Sequence, residues 1–391
     1  MHCREYGSFT CAALMLASMT AGAQQKRTES IHPETGGKPQ LEMVFVLDTT
    51  GSMGGLIDGA KQKIWSIVND VMKTPQHPKV KIGLVAYRDH GDAYVTKVLP
   101  LTDDLDKVYS TLMEYQAAGG GDTPEDVRQA LADGVHKTGW SARGPHVAQI
   151  LFLVGDAPPH DDYHQEPDTL TSTGEAVKAG IIVNTIECGG AEDTRAAWQK
   201  ICQRGEGKFF QIAQDGGVQA ISTPFDGELS KLGGKVGATY FAYGGGGMGG
   251  GGAAYRASKA KAQMRSESSF AAAAPAGGLA DRAVNKAINS RAYDDNDLLQ
   301  AVENHTVKLD SLKTEDLPDE LKKLSPEARK KEVDRRLAER KDLKSQILTL
   351  SKKRDAYIAE EKQKKGGAKS GFDTAVSAAI RAEAARRGIK Y

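Results

Sequence analysis

Short apolar runs and longer segments of helical periodicity alternate through the first half of the chain. Apolar runs of strand length lie at 44–47, 80–87, 149–154, 181–187 and 209–212, and a further edge strand is expected at 94–99. Between them, apolar residues recur every three or four positions, as in the segment 53–72. Strands that alternate with helices predict a doubly wound, Rossmann-like α/β domain with a mostly parallel sheet, which we place at residues 41–235.

The second half of the chain has a different pattern. Glycine accumulates between 244 and 252, and alanine-rich sequence follows, so residues 236–280 are predicted to form a flexible linker. Residues 281–391 are highly charged and predict a helical region, with a long helix from about 325 to 365 and another from 372 to 387. Their apolar stripe is too irregular for clean heptads. Two interpretations of these helices remain open. They form either a solvent-exposed helical hairpin or a coiled-coil-type surface for self-association or partner binding.

The N-terminus has the pattern of a secretory signal peptide at residues 1–23. A basic Arg4 precedes a mostly apolar core at 11–19, and small residues at 21–23 match a cleavage site. Residues 24–40 are polar with paired glycines and prolines, which indicates a tether. No later run approaches the roughly 20 apolar residues of a membrane span. We therefore expect an exported protein, periplasmic or secreted, with no transmembrane segment; detection only in the cytosol would contradict this.

Charge and cysteine content argue against nucleic-acid binding and against a disulfide bond. Lysine and arginine total 52 and aspartate and glutamate 51. The chain therefore lacks the large positive charge that would attract nucleic acid. Two cysteines, Cys188 and Cys202, follow the signal segment. They are predicted to end a strand and the next helix, about 15 Å apart, whereas a disulfide needs Cα atoms within about 7 Å. We expect two separate buried thiols.

Hard oxygen side chains follow several of the predicted strands. Asp48, Thr50 and Ser52 come directly after the first strand, Thr123 follows a glycine-rich turn, and Asp156 follows the run at 149–154. The carboxyl ends of parallel strands meet at one edge of the sheet, where ligands bind. Oxygen ligands without His or Cys suit Mg²⁺ or Mn²⁺. Thr123 alone is also explained as the cap of a helix, and Asp156 alone as a turn residue.

The spacing Asp-x-Thr-x-Ser after an apolar strand resembles the metal-ion-dependent adhesion site (MIDAS) of von Willebrand factor A (vWA) domains, where the usual pattern is Asp-x-Ser-x-Ser. The later threonine and aspartate fall in the order of the family's two other motifs. The resemblance implies the vWA fold and a divalent cation. It implies that Thr50, Ser52 and Thr123 bind the metal directly, that Asp48 and Asp156 act through water, and that a partner's carboxylate completes the coordination.

The rim of the site departs from the family pattern, because Asp156 is followed by Ala-Pro-Pro where many relatives have Asp-Gly. Two polar segments are expected to line this rim. The first holds Arg88, Asp89, His90 and Asp92, and the second holds His160, Asp161, Asp162 and His164. His160 and His164 are four residues apart and could lie on one helical face as a transition-metal site, although a zinc site needs a third ligand. The alternative is that this segment forms a polar lid over the Mg²⁺ site.

These patterns lead to three functional hypotheses. The first is an exported, non-enzymatic binding module whose metal captures an acidic group of a partner protein or glycan. The alternative is a Mg²⁺-dependent hydrolase or phosphatase, although haloacid-dehalogenase-type phosphatases need an acid where this chain has Thr50. The third is a structural scaffold driven by the C-terminal helices.

Overall fold

A mostly parallel sheet runs through the first half of the chain in the computed structural model. The described part of the chain contains six strands, β1 (Gln40–Asp48), β2 (Lys79–Tyr87), β3 (Thr96–Thr102), β4 (Val147–Gly155), β5 (Ile182–Cys188) and β6 (Glu206–Ile212). Their spatial order is β3-β2-β1-β4-β5-β6, with only β3 antiparallel to its neighbour. The predicted doubly wound α/β fold is therefore confirmed.

The structure describes residues 38–164, 167–218, 220–247, 251–364 and 371–390. The predicted signal peptide at 1–23 and all but the last three residues of the predicted tether lie outside this range. Residues 37–391 group into one compact unit. None of the described helices is long and apolar enough to span a membrane.

Helices flank the sheet and make up most of the second half of the chain. In chain order they are α1 (Gly54–Met72), α2 (Leu105–Glu114), α3 (Val127–His136), α4 (Thr169–Ala179), α5 (Glu192–Arg204), α6 (Asp226–Ala238), α7 (Gly252–Ala273), α8 (Ala276–Ile288), α9 (Leu298–Glu303), α10 (Asp319–Lys322), α11 (Pro326–Lys364) and α12 (Phe372–Arg386). The apolar spacing of residues 218–232 predicts a helix over that segment, but α6 begins only at Asp226, because Pro224 is incompatible with a helix interior.

The central strand β1 is buried on both faces, as parallel strands covered by helices are. Met43, Phe45 and Leu47 face a core shared with α1, α2 and α12. Val44 and Val46 face a second core formed with α3, α4 and α5. This alternation explains why residues 43–47 of the strand are all apolar. The strand ends at Asp48, and its other acid, Glu42, is buried near the start of the strand.

Part of the segment predicted as a linker is helical. Residues 252–273 form α7, which lies inside the predicted linker at 236–280. Residues 276–288 form α8, which begins inside that range and extends beyond it. Alanine has the highest helix propensity, which favours these helices. Ala280, Ala283 and Val284 of α8 pack against α6, so tertiary contacts hold the segment in place.

The C-terminal helices pack on the rest of the chain. The long predicted helix is confirmed as α11, which contacts α6, α8 and α9. The last helix, α12, lies against α1, β4, β5 and β6. Its Phe372 ring lies 6.0 Å from the ring of Phe45, inside the core of the sheet. The two cysteines are free and buried, as expected.

Candidate metal centre

The predicted oxygen residues lie at the point where the strand order reverses direction. β1 and β4 are neighbours, and the chain proceeds outward from them in opposite directions, which opens a crevice at their carboxyl ends. Asp48 ends β1, and Asp156 follows the last residue of β4, Gly155. A Cβ atom on Gly155 would lie 2.4 Å from the Tyr87 hydroxyl and 3.0 Å from the Asp48 Cβ. Glycine is therefore needed there to admit both side chains.

Asp48 is fully buried and organises the first loop. Its Oδ1 atom accepts hydrogen bonds from the backbone N–H and the hydroxyl of Thr50, at 2.8 and 2.7 Å. The Thr50 hydroxyl lies 3.5 Å from that of Ser52. The Oδ2 atom of Asp48 is buried without a hydrogen-bond partner among the described residues. Burial raises the pKa of Asp48 to about 7 despite these bonds, and the charge of Asp156 adds to the rise.

Asp156 is half-buried and is held from two sides. Its Oδ2 atom accepts a hydrogen bond from the Gln214 side chain at 2.5 Å. Its backbone carbonyl accepts one from the Thr194 hydroxyl at 3.1 Å. These contacts fix the carboxylate of Asp156 near that of Asp48.

A further acid, Glu125, belongs to this region and was not predicted from the sequence. Its side chain is buried, and the Oε2 atom has no hydrogen-bond partner among the described residues. Burial raises the pKa of Glu125 to about 9, and four neighbouring carboxylates raise it further, those of Asp48, Asp89, Asp92 and Asp156. Like charges in a dry site are the arrangement that a bound divalent cation neutralises.

The second loop is tied to the first by backbone hydrogen bonds. The Gly51 N–H donates to the Gly119 carbonyl at 3.2 Å, and the Ala118 N–H donates to the Thr49 carbonyl at 3.1 Å. Gly119 and the next glycine have positive φ angles of 83° and 85°, which favour glycine. This loop carries Thr123, which is exposed to solvent. Its ligand role stays a prediction.

Thr123 does not cap the following helix, so that prediction was wrong. α3 begins at Val127, and Asp126 caps it by accepting a hydrogen bond from the Gln129 N–H at 2.9 Å. The reason is that Glu125 forms a parallel bridge with Pro159 instead of entering the helix. This bridge holds the Ala-Pro-Pro segment after β4 against the second loop.

Only part of the first rim segment is turned inward: Asp89 is buried, His90 is exposed and Asp92 is half-buried. Arg88 is buried, and its guanidinium donates to the carbonyls of Thr49 and Gln116 at 3.1 and 2.8 Å. This differs from the expected exposed rim. Asp92 accepts hydrogen bonds from the Asp89 N–H and the Gly120 N–H at 3.3 and 3.1 Å, so it joins two loops.

Residues 160–164 of the second rim segment form no helix, so His160 and His164 do not share a helical face, which removes that alternative to a polar lid. His164 is exposed, whereas His160 is buried and faces other acids. The neighbouring Asp161 and Asp162 are both exposed. The Asp161 backbone carbonyl accepts a hydrogen bond from Arg128 at 3.2 Å, which ties this segment to α3.

Tyr163 connects the two rim segments and was not singled out in the sequence. Its ring stacks between the imidazoles of His90 and His160, with centroids 4.3 and 4.1 Å away. Its hydroxyl donates to the carboxylate of Asp89, 3.0 Å from both oxygens. His90 also lies 3.1 Å from Asp126, at the start of α3. The only sequence signal was an aromatic residue among polar ones.

The sheet order defines a doubly wound α/β domain, with Asp48 and Asp156 at the carboxyl ends of its neighbouring strands β1 and β4. Residues 42–224 match the family model of the von Willebrand factor A domain, and the chain is a vWA domain protein.

Curated relatives match about a third of this chain, and the match spans only 13% of their own length. Von Willebrand factor A domain-containing protein 7 of Rattus norvegicus is 37% identical over 125 residues, which cover 32% of this chain and 13% of that protein. The human protein of the same name is 36% identical over 125 residues, with the same two coverages of 32% and 13%. The crystal structure of the SpRpn10 VWA domain has a TM-score of 0.34 and 14% identity, covering 45% of this chain and 89% of that one.

Proposed function

We propose that this protein is an exported, metal-dependent protein-binding module. A single Mg²⁺ or Mn²⁺ ion would be held at the carboxyl ends of β1 and β4 and would capture an acidic group of a partner protein or glycan. Its ligands and water-mediated contacts are Asp48, Thr50, Ser52, Thr123 and Asp156. The vWA domain supports a role in protein interaction.

The observation that carries this proposal is the geometry of the Asp48–Thr50 pair. The Thr50 hydroxyl donates its proton to Asp48, which leaves its oxygen lone pairs available to a cation. Asp48 presents a second, buried carboxylate oxygen that lacks a hydrogen-bond partner among the described residues. A buried carboxylate without compensation is costly, and a nearby cation removes that cost.

Access to the site supports capture of a partner's carboxylate. Ser52 and Thr123 are exposed, whereas Asp48 and Thr50 are buried. Magnesium demands near-octahedral oxygen coordination and keeps several waters when protein ligands are few. A water on the exposed side of such an ion is replaceable by an acidic side chain, which forms a stronger contact with the cation.

The test compares Ser52→Ala with Ser66→Ala, a matched serine whose hydroxyl bonds to a carbonyl within α1. Mn²⁺ binding is measured by electron paramagnetic resonance of the free ion. Ser52→Ala should weaken binding by at least about tenfold, since even outer-shell changes at metal sites cost about 10–100-fold. Ser66→Ala should bind as the wild type does.

The same variants test the partner-binding half of the proposal. Immobilised protein is incubated with the exported fraction in Mg²⁺ or in chelator, and the captured proteins are compared. A specific partner should be retained by the wild type and Ser66→Ala in Mg²⁺, and lost with chelator or Ser52→Ala. Equal capture by Ser52→Ala would refute metal-dependent binding.

A further inference from the structure

We propose that the rim holds a second metal site, formed by Asp89, Asp122 and His160, which binds a transition-metal cation of the zinc class. One ligand atom from each of these residues lies within 4.8 Å of the other two. None of the three belongs to the proposed Mg²⁺ site. The two sites are therefore separable by substitution.

The imidazole of His160 is aimed into this cluster. Only 8% of His160 is exposed, and its Nε2 atom has no hydrogen-bond partner among the described residues. That atom lies 3.6 Å from Asp89 Oδ2 and 3.7 Å from Asp122 Oδ1. These separations exceed a hydrogen bond. They match two ligands of one tetrahedral zinc ion, which lie about 3.3–3.6 Å apart for bonds of about 2.0–2.2 Å.

The other imidazole nitrogen has the partner that a metal-binding histidine requires. His160 Nδ1 lies 2.8 Å from the Asp162 carboxylate. A proton on Nδ1 that is donated to this carboxylate leaves the Nε2 lone pair for a metal, which is the usual carboxylate–histidine–metal arrangement.

The remaining groups hold the ligands in place. Tyr163 donates its hydroxyl to Asp89 and stacks on the His160 ring, so it orients two ligands at once. The backbone N–H of His160 donates to the Glu125 carbonyl at 3.1 Å, which holds the His160 backbone against the second loop. A ligand set that is oriented before binding needs little reorganisation when the metal arrives.

The ligand set selects the class of metal. An imidazole nitrogen with two carboxylate oxygens suits zinc and its transition-metal neighbours, whereas magnesium prefers oxygen ligands alone. The Asp122 side chain is 62% exposed, so one side of the site opens to solvent. A water or an acidic group from outside would take the fourth position.

The test uses the full chain with Zn²⁺ in equilibrium dialysis, at saturating Mg²⁺ so that the first site is occupied. His160→Ala should weaken Zn²⁺ binding by at least about a hundredfold, and Asp162→Asn by about 10–100-fold as an outer-shell change. Asp122→Asn alters an exposed side chain without disturbing the core and should also weaken binding. His164→Ala is the matched control and should bind Zn²⁺ as the wild type does.

Two further measurements distinguish a His160-ligated metal site from metal bound elsewhere on the protein. Co²⁺ should give the visible absorption of a nitrogen-ligated ion in the wild type, and His160→Ala should abolish it. Ser52→Ala should retain Zn²⁺, whatever the fate of the Mg²⁺ site. The proposal is overturned if the wild type binds no Zn²⁺, because His160 is then simply an imidazolium paired with its acids. It is also overturned if His164→Ala or Ser52→Ala removes the ion.

Discussion

At the residue scale, Asp48 and Glu125 carry the largest electrostatic cost of the site. Both carboxyl groups are buried close to other acids, and each has an oxygen without a hydrogen-bond partner in the described structure. Without a cation, protonation is the remaining way to relieve this cost, which is why the pKa values of both groups are raised. Metal binding and protonation should therefore compete.

This competition predicts how stability depends on pH. The pKa of Asp48 rises from 3.8 to about 7, and that of Glu125 from 4.5 to about 9. The folded protein then holds more protons than the unfolded chain, so stability is greatest below the unfolded pKa values and is lost as pH rises through the folded ones. Urea unfolding in chelator should show stability falling from about pH 4 to about pH 9.

Magnesium should weaken this dependence, because the cation replaces the protons. Asp48→Asn should flatten the part of the curve below about pH 7 in chelator and should abolish the stabilisation by Mg²⁺. A chelated wild-type protein whose stability rises over this range would contradict the assignment. His164→Ala, at an exposed rim position, serves as the control.

At the scale of elements, α11 shows why a charged helix is not always a solvated one. Its interleaved charges favoured an exposed hairpin, yet Arg340 is buried and pairs with the buried Asp297 before α9. The Arg340 guanidinium also donates to the hydroxyl and the carbonyl of Thr239, at 2.7 and 2.8 Å. Arg354 likewise bridges Asp226 and Asp281, at 2.6 and 2.7 Å. Buried arginines therefore dock this helix together with its buried apolar residues Val333 and Ile347.

Substitution of Arg340 should therefore destabilise the whole chain. Arg340→Met leaves Asp297 buried without its charge partner, and such a change costs about 3–5 kcal/mol. Arg335→Met is the matched control on the same helix: its side chain is 58% exposed and pairs only with neighbouring glutamates of α11. Surface pairs of this kind contribute about 0–1 kcal/mol.

The measurement is the urea midpoint followed by circular dichroism, together with limited proteolysis of α11. Arg340→Met should shift the midpoint down and expose the helix to cleavage, while Arg335→Met should leave both unchanged. Equal effects of the two substitutions would show that α11 is not docked through its buried arginine.

At the scale of the whole molecule, the core of the vWA domain extends beyond the residues that match the family. The match ends at residue 224, yet α12 covers the face of the sheet that carries Phe45. Val376 and Ile380 of α12 are fully buried there. The last described helix thus completes a core that the first half of the chain begins.

Removal of residues 371–391 should consequently prevent stable folding. The deletion exposes a set of core side chains, and burial of each contributes about 1.5–3 kcal/mol. Their sum is comparable with the roughly 5–15 kcal/mol that stabilise a typical domain. The truncated chain should aggregate or unfold at lower urea. Unchanged solubility and midpoint would show that α12 is dispensable.

Point variants in α12 distinguish the loss of its core packing from the effect of shortening the chain. Ile380→Ala should cost about 2–5 kcal/mol as a cavity in the core. Thr374→Ala, on the exposed side of the same helix, should change stability by less than about 0.5 kcal/mol.

The sequence by itself determined the strands, the doubly wound class of the fold and the Asp-x-Thr-x-Ser loop, because these depend on local periodicity and spacing. It also predicted the long helix α11 and the separate cysteines from local geometry. In the structure, Asp48 and Asp156 lie at the carboxyl ends of two neighbouring parallel strands, and their shared role as metal ligands stays a prediction.

Only the tertiary structure decided which distant residues share a surface. Glu125, Tyr163 and Asp122 carry no local signal, since their roles depend on loops that approach through backbone bridges rather than on any repeat along the chain. The return of α12 to the sheet depends in the same way on packing across more than 200 residues of sequence, as Phe372 and Phe45 show. Periodicity identifies which face of an element is apolar, but the partner of that face is selected by packing in three dimensions.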